Sequence, residues 1–397
     1  MINQPSRGIK LTERQKLSWL RLIRSDNVGP ATFRELINNC GSAERAIEML
    51  PELSQRGGSH RKIRIGTVSE VEIELEKIEK FGAKLIGISE PEYPRALRQI
   101  DGAPPLITAK GNLDLTTPPS VGIVGSRNAS ITGSKFAANL AANIVGAGYT
   151  IVSGLARGID AAAHYASLHP RAHTGAHSGM HSGAQTGTIA ALAGGIDKPY
   201  PPENLDLYKQ ICDGKGLAIT EMPFGWKPIA RDFPRRNRLI AGVSLGLVVV
   251  EAAKRSGSLI SARRASDFGR LVFAVPGSPL DPRAGGTNEL LKEGAILTTG
   301  ANDILEALAP ISQIDEINHN IIEETGNDGQ EFDPPDENAR TIIINAMGAT
   351  PVEIDDIIRH TGYPAQTVYL VLLELDLASR LQRHSGGLVS LVLQTQV

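Results

Sequence analysis

Hydrophobic and polar positions change their rhythm several times along this chain. Between Leu11 and about Leu53, apolar residues recur at helical spacing, Leu17, Leu20, Leu22 and Ile23 first and Phe33, Leu36 and Ile37 after the turn Asn27-Val28-Gly29-Pro30. The pattern predicts short helices around a Gly-Pro hairpin. That is the outline of a small DNA-backbone module (SAM or helix-hairpin-helix-like), although an ordinary helical bundle is the preferred reading of these residues. Ala31 stands where a second hairpin glycine would ease the approach of a phosphate.

From about 84 to 308 the rhythm is different. Near-continuous apolar runs at 85–88, 106–109, 121–124, 150–152, 188–192, 217–220, 247–250 and 272–275 alternate with helical stretches, notably 133–145 and 161–168. Runs without polar alternation indicate strands buried on both faces, and helices between them indicate parallel crossovers. The predicted class is α/β, a Rossmann-like, doubly wound, mostly parallel sheet. An acidic segment containing Gly and Pro, about 311–339, reads as a linker. Beyond it, 340–347 predicts a helix, and Thr350-Pro351-Val352-Glu353 predicts a capping box with proline at the first position of a second helix. A third helix over 364–378 and a hairpin over 381–384 and 388–393 complete a winged-helix outline. The helix in the groove-reading position, 364–379, contains no Lys or Arg, so protein contact suits it better than DNA reading. The expected domains are 1–75, helical; 76–310, Rossmann-like; 311–339, linker; and 340–397, winged helix.

Composition narrows the setting. Two cysteines, Cys40 and Cys212, give neither a disulfide framework nor a metal-ligand pair, which fits a reducing cytoplasm. The polar N-terminus carries Arg7 and Lys10 with no apolar core behind them, so no signal peptide is expected. Apolar runs such as 245–250 are far short of the roughly 20 residues that span a bilayer, so a soluble protein without a membrane partner is expected. The net charge of −2 is unevenly spread. Nine acids between Ala309 and Ala339 leave the remainder at +7, a weak footprint for a polyanion.

The candidate chemistry gathers at strand ends. Gly125-Ser126-Arg127 follows the run at 121–124, and Ser153-Gly154 with Arg157 follows the run at 150–152. Small residues there let backbone N–H groups approach a phosphate, and arginine adds charge and a forked donor. Neither G-x-G-x-x-G nor a P-loop accompanies them, which leaves a polynucleotide backbone as the candidate ligand. Three more segments join this rim: Lys198 to Asn204, then Arg231 to Arg238 with Arg235, Arg236, Asn237 and Arg238, and finally Lys254 to Ser258 with Ser256, Gly257 and Ser258. Five basic residues and one acid between Lys227 and Arg238, interleaved with Trp226 and Phe233, suit a single strand, whose backbone takes cations and whose bases take aromatic faces.

Two other features point elsewhere. A tetrapeptide repeat over 172–187 spaces His173, His177 and His181 four residues apart, but a glycine in every unit favours a surface loop over a three-imidazole metal helix. Asp160 and His164 are also four apart, yet no nucleophile is placed with them, so a capping carboxylate and a packed histidine are expected rather than catalysis. No metal and no cofactor are called for.

Taken together, Val124-Gly-Ser-Arg127, Ser153-Gly-Leu-Ala-Arg-Gly-Ile-Asp160-Ala-Ala-Ala-His164, Tyr200-Pro-Pro-Glu-Asn204, Phe233-Pro-Arg-Arg-Asn-Arg-Leu-Ile-Ala-Gly242, Ser256-Gly-Ser-Leu-Ile-Ser-Ala262, Val275-Pro-Gly277 and Gly286-Thr-Asn288 resemble the DNA-processing protein A family (DprA, also called Smf) in colinear order over about 80–305. The resemblance implies a bacterial cytosolic homodimer that is not an enzyme. It implies binding and protection of single-stranded DNA taken up in natural transformation, and loading of the RecA recombinase onto it. It also implies a pocket containing Ser126 and Arg127, with Ser153, Gly154 and the segment Lys198 to Asn204 at its rim. Arg235 to Arg238 fall on the family's basic motif, where some of them can serve the fold instead. The His-containing repeat departs from the family pattern and inherits no role. The alternative is a nucleoside-monophosphate phosphoribohydrolase on the same fold. Its compact P-G-G-x-G-T-x-x-E loop is split here between Pro276-Gly277 and Gly286-Thr287, and Glu289 is at the wrong spacing.

Overall fold

The computed structural model describes residues 8–59, 61–169, 186–312, 322, 324, 335–384 and 386–392. Residues 172–185 of the tetrapeptide repeat and most of the acidic stretch lie outside them. The chain divides into two compact units, one of Met1–Ile9 with Glu74–Ile321, the other of Lys10–Ile73 with Ile322–Val397. The N-terminal helices and the winged helix, read along the chain as separate modules, therefore share one unit.

That shared unit begins with α1 Glu13–Ile23, α2 Pro30–Cys40 and α3 Ala43–Arg56. Thr12 and Gln15 close a reciprocal capping box at the start of α1, and Gly29-Pro30 opens α2 with proline in its first turn. Trp19 and Phe33, both fully buried, meet edge to face with ring centroids 5.1 Å apart. Glu324, from the acidic stretch, accepts from the Trp19 indole at 2.8 Å and from the Ala43 N–H at the start of α3 at 3.0 Å.

α4 Val68–Lys80 leads into the sheet unit. Its strands are β1 Lys84–Gly87, β2 Leu106–Gly111, β3 Ser120–Val124, β4 Thr150–Ser153, β5 Thr188–Ala191, β6 Gly216–Thr220, β7 Gly246–Val249, β8 Leu271–Ala274 and β9 Ile296–Leu297. The helices between them are α5 Arg95–Arg98, α6 Ile131–Gly146, α7 Ile159–Leu168, α8 Leu205–Gln210, α9 Asp232–Val243, α10 Gly257–Asp267 and α11 Gly285–Lys292, and α12 Ala301–Ser312 follows β9. Among the described residues the nine strands form one sheet in the order β1-β2-β6-β5-β4-β3-β7-β8-β9. β1–β2 and β2–β6 pair antiparallel, and the remaining pairs are parallel. The expected doubly wound, mostly parallel sheet is therefore present. The run at 231–238 is not an extended basic track, because it opens α9, whose inner face carries Arg236, Asn237, Leu239 and Ile240 into the interior.

The chain leaves β3 through α6 toward β4 and leaves β7 through α10 toward β8, in opposite directions across the sheet. The topological switch point thus lies between the C-terminal ends of β3 and β7, where doubly wound sheets ordinarily bind their ligands.

The winged helix consists of α13 Glu337–Asn345, α14 Ile354–Thr361, α15 Ala365–Leu377 and a small sheet, β10 Val352–Glu353, β11 Leu381–Arg383 and β12 Leu388–Leu391. The expected capping box at Thr350 to Glu353 does not form. Val352 and Glu353 instead pair with Val389 and Leu388, because a strand partner 37 residues away outcompetes a local cap. α15 is buried on nearly every side. Val368, Val371, Leu372 and Leu375 belong to the winged-helix core, while α15 also packs on α2 and α3. A Cβ at Gly57, the C-cap of α3, would clash with the Glu374 carbonyl. Asn27 Nδ2 donates to the Leu377 carbonyl at 2.7 Å, and Arg383 bridges Asp376 at 3.0 Å and Glu35 at 2.8 Å.

Candidate nucleic-acid interface

The C-terminal ends of β3, β4, β5 and β6 surround a cleft of about 360 Å³ lined by Arg127, Gly154, Ala156, Arg157, Tyr200, Pro201, Glu203, Phe233 and Arg236. It is open to solvent, and that volume includes its open mouth. Three loops and the start of α9 converge here because the parallel strands all end on this side.

The floor is filled from inside. Asp160, in the first turn of α7, accepts from the Gly154 N–H at 3.0 Å and the Ala156 N–H at 3.4 Å. His164, one turn on, accepts at Nε2 from the Leu155 N–H at 3.2 Å, which holds Leu155 at a left-handed φ of 58°. Its Nδ1 lies 2.7 Å from Thr188 Oγ1, whose own proton goes to the Ile151 carbonyl, so the ring is neutral with its proton on Nδ1. Burial first, and then the Arg236 charge, press His164 down to about 3. The histidine is thus a packed acceptor, as the spacing suggested. Three successive N–H groups at the end of β4 are consequently spoken for, and the expected backbone cradle for phosphate is not open there.

Arg236 crosses beneath these groups. Its Nη1 donates to the carbonyls of Gly154 and Ala191, the latter at 2.8 Å, tying β4 to β5. A Cβ at position 154 would overlap this guanidinium, so only glycine fits. Burial lowers Arg236 to about 10, with Asp160 pulling the other way, so it stays cationic at neutral pH. It acts on the cleft as fixed charge and as a clamp rather than as a reaching hand.

Above the floor, the free chemistry is on side chains. Arg127 is exposed, with its guanidinium carbon 5.4 Å from the Phe233 ring centre. Phe233 meets Tyr200 edge to face at 5.5 Å, and Tyr200 is half exposed. Arg157 stands at the mouth, 3.4 Å from Glu203, with both side chains more than half exposed. Cation, aromatic pair, cation is an arrangement that takes a phosphodiester and an unstacked base.

The other expected residues divide by what holds them. Gly125 is packed against Ile159, and Ser126 Oγ accepts from the Asn128 N–H within its own turn. Ser153 is fully buried, its hydroxyl donating to the Ile123 carbonyl at 2.6 Å, so it cannot line a binding surface. Lys198 pairs with Asp197, and Asn204 donates to the Leu155 carbonyl at 2.8 Å, bracing the turn rather than facing solvent. Arg235 and Arg238 converge on the buried Glu221 carboxylate, and Asn237 is directed to the Gly257 carbonyl. Ser256 caps α10 through the Ser258 N–H, with Gly257 in its first turn, so these three form a helix start and do not line the cleft. The reason is common to all of them: strand-end loops this tight use their polar groups to hold one another. Phe233 was flagged only as an interleaved aromatic, and Tyr200 and Glu203 only as members of a motif. Their meeting depends on β5 and β6 being neighbours.

A family model for DNA recombination-mediator protein A matches residues 84–309. The chain belongs to this family. A DprA-like N-terminal HHH domain matches residues 13–76, which bears out the helix-hairpin-helix outline, and a DprA winged helix domain matches residues 331–387. Protein Smf of Synechocystis is 32% identical over 93% of this chain and 96% of its own. DNA processing protein DprA of Streptococcus pneumoniae is 42% identical over 54% of this chain and 70% of its own. The X-ray structure of DprA from Streptococcus pneumoniae superposes with a TM-score of 0.58, covering 75% of this chain and 98% of that one at 33% identity. The family is one of recombination mediators and not of enzymes, which sets aside the phosphoribohydrolase alternative. No described helix is long and apolar enough to cross a membrane.

Proposed function

We propose that this recombination mediator binds single-stranded DNA in the cleft over β3 to β6, with Arg127 and Arg157 on phosphates and Phe233 with Tyr200 against a base. The carrying observation is that the exposed cations and the aromatic pair meet there, whereas the surrounding polar groups are tied to one another. Duplex DNA presents no unstacked base to such a pair, so the strand must be single. The reading extends, on the family resemblance, to action in the cytoplasm as a homodimer during natural transformation, with the strand passed to RecA.

Labelled oligothymidine and a duplex of equal length, titrated at two salt concentrations, test the binding step. Single strand is expected to win, with log affinity falling by about 0.7 per phosphate neutralised for each unit of log salt. Arg127→Glu is expected to weaken binding and flatten that slope. Unchanged affinity in a folded variant, or a preference for duplex, defeats the assignment. Sedimentation of the protein alone and with RecA tests the homodimer and the hand-off.

A further inference from the structure

The switch point between β3 and β7 is where a doubly wound sheet ordinarily receives a nucleotide, with a phosphate on the N-terminus of the helix that follows the first strand. In this chain that helix is α6, 16 residues long and starting after Ser130. The seat is filled by the protein itself. Glu251, two residues past β7, accepts from the Ser130 N–H at 3.0 Å through Oε2 and from the Ser130 hydroxyl at 2.5 Å through Oε1. The same hydroxyl oxygen accepts from the Gly133 N–H at 2.8 Å, so the carboxylate holds the N-cap residue directly and reaches the first turn through one relay. A Cβ at Gly133 would lie 2.4 Å from Oε1, which makes glycine the residue that admits this anion. Arg283, held by Asp281, is a cation near enough for the Glu251 charge to act on it.

We infer that Glu251 is a specificity residue: it supplies an internal anion at the fold's ordinary phosphate seat, so the chain does not hold the terminal phosphate of a free nucleotide there and accepts phosphate only in a strand laid along β3 to β6. A carboxylate and a phosphate are equivalent to a helix N-terminus, since both present oxygen acceptors and negative charge to the same N–H groups. The carboxylate has the advantage of being covalently tethered beside the seat. A free ligand must displace it and leave it unpaired near its own charge. The rejection is therefore electrostatic as well as steric. Where the strand lies rests on the proposed cleft; the rejection at the α6 N-terminus does not, because the two places use different residues.

The test uses the full chain, inorganic phosphate and AMP, read by calorimetric titration and by the shift of melting temperature. Glu251→Ser is expected to bind both about tenfold more tightly than the unaltered protein and to be stabilised by phosphate where the unaltered protein is not. Adding Gly133→Ala to that variant puts a methyl group 2.4 Å from the place of Oε1, too close for a phosphate oxygen there, and is expected to cancel the gain. Oligothymidine affinity is expected to stay unchanged in Glu251→Ser. A folded Glu251→Ser protein no more responsive to phosphate overturns the inference, and so does a gain that survives Gly133→Ala. A variant that fails to fold even in phosphate assigns Glu251 to stability alone and overturns it too. Loss of oligothymidine binding in the unaltered protein would instead strike the cleft reading.

Discussion

Two parts of this molecule have the outline of a DNA contact, and they use their surfaces in opposite ways. At the strand-end cleft the polar interior is closed by Asp160, His164 and Arg236, and the charge left over, Arg127 and Arg157, stands in solvent beside Phe233. In the winged helix, α15 occupies the place of a groove-reading helix, yet it is apolar nearly all round and lies against α2 and α3. With only Ala365, Gln366 and Tyr369 exposed, α15 offers little of its length to a groove. The difference teaches that a motif's outline sets where a contact could be made, whereas burial decides whether it is made. Within the chain, α15 packs on the N-terminal helices α2 and α3.

The largest effect that would break this contrast concerns Glu374. It is 1% exposed on α15 and paired with Arg340 of α13 at 2.8 Å. Removing one partner of a buried pair costs about 3–5 kcal/mol, so Glu374→Ala should lower the melting point of the helical unit markedly. Oligothymidine affinity should stay as it was. A parallel loss of DNA binding would mean that the winged helix takes part in it. Next in size, Phe233→Ala should weaken oligothymidine binding by about 1–3 kcal/mol, the range for one stacked base, while leaving duplex binding as weak as before.

The two units should also answer pH in opposite directions. His164, at about 3 in the folded sheet unit against its ordinary 6.5, takes up its proton only on unfolding. Its contribution is complete above pH 6.5 and is lost as pH falls toward 3, by up to about 1.4 kcal/mol per pH unit. Glu35 is the reverse case. Burial first, with Asp376 adding repulsion and Arg383 opposing both, raises it to about 7 against its ordinary 4.5. Its contribution is complete below pH 4.5 and is lost as pH climbs toward 7. Hydrogen exchange followed segment by segment, with His164→Gln and Glu35→Gln as references, reads both slopes. Equal slopes in the two units would dissolve this part of the comparison. The smallest effect belongs to Glu203→Gln, which frees Arg157 from an exposed pair worth less than about 1 kcal/mol and should tighten single-strand binding by less than about fivefold.

Most of the sheet was legible in the chain, since β1 to β8 begin and end within two residues of the apolar runs that predict them. β9 was not, because two residues, Ile296 and Leu297, are too short to show a period. α9 was misjudged as a basic track because its cations fall on more than one face, and only its packing shows Arg236 going inward while Arg235 stays half exposed. Ser153 fell to the same blindness. A serine at a strand end looks the same in sequence whether it faces a ligand or donates to Ile123.

The sequence alone determined the doubly wound sheet, the ends of its strands and the presence of cations near them, since local apolar rhythm and residue type are enough to specify these. Tertiary structure alone decided which anion seats remained open. The carboxylates that close them arrive from elsewhere: Asp160 folds back on β4 from α7, Glu251 reaches Ser130 across 121 residues, and Glu221 gathers Arg235 and Arg238. A backbone N–H can be satisfied by its own chain or by a ligand, and only the distance to the competing acceptor tells the two apart.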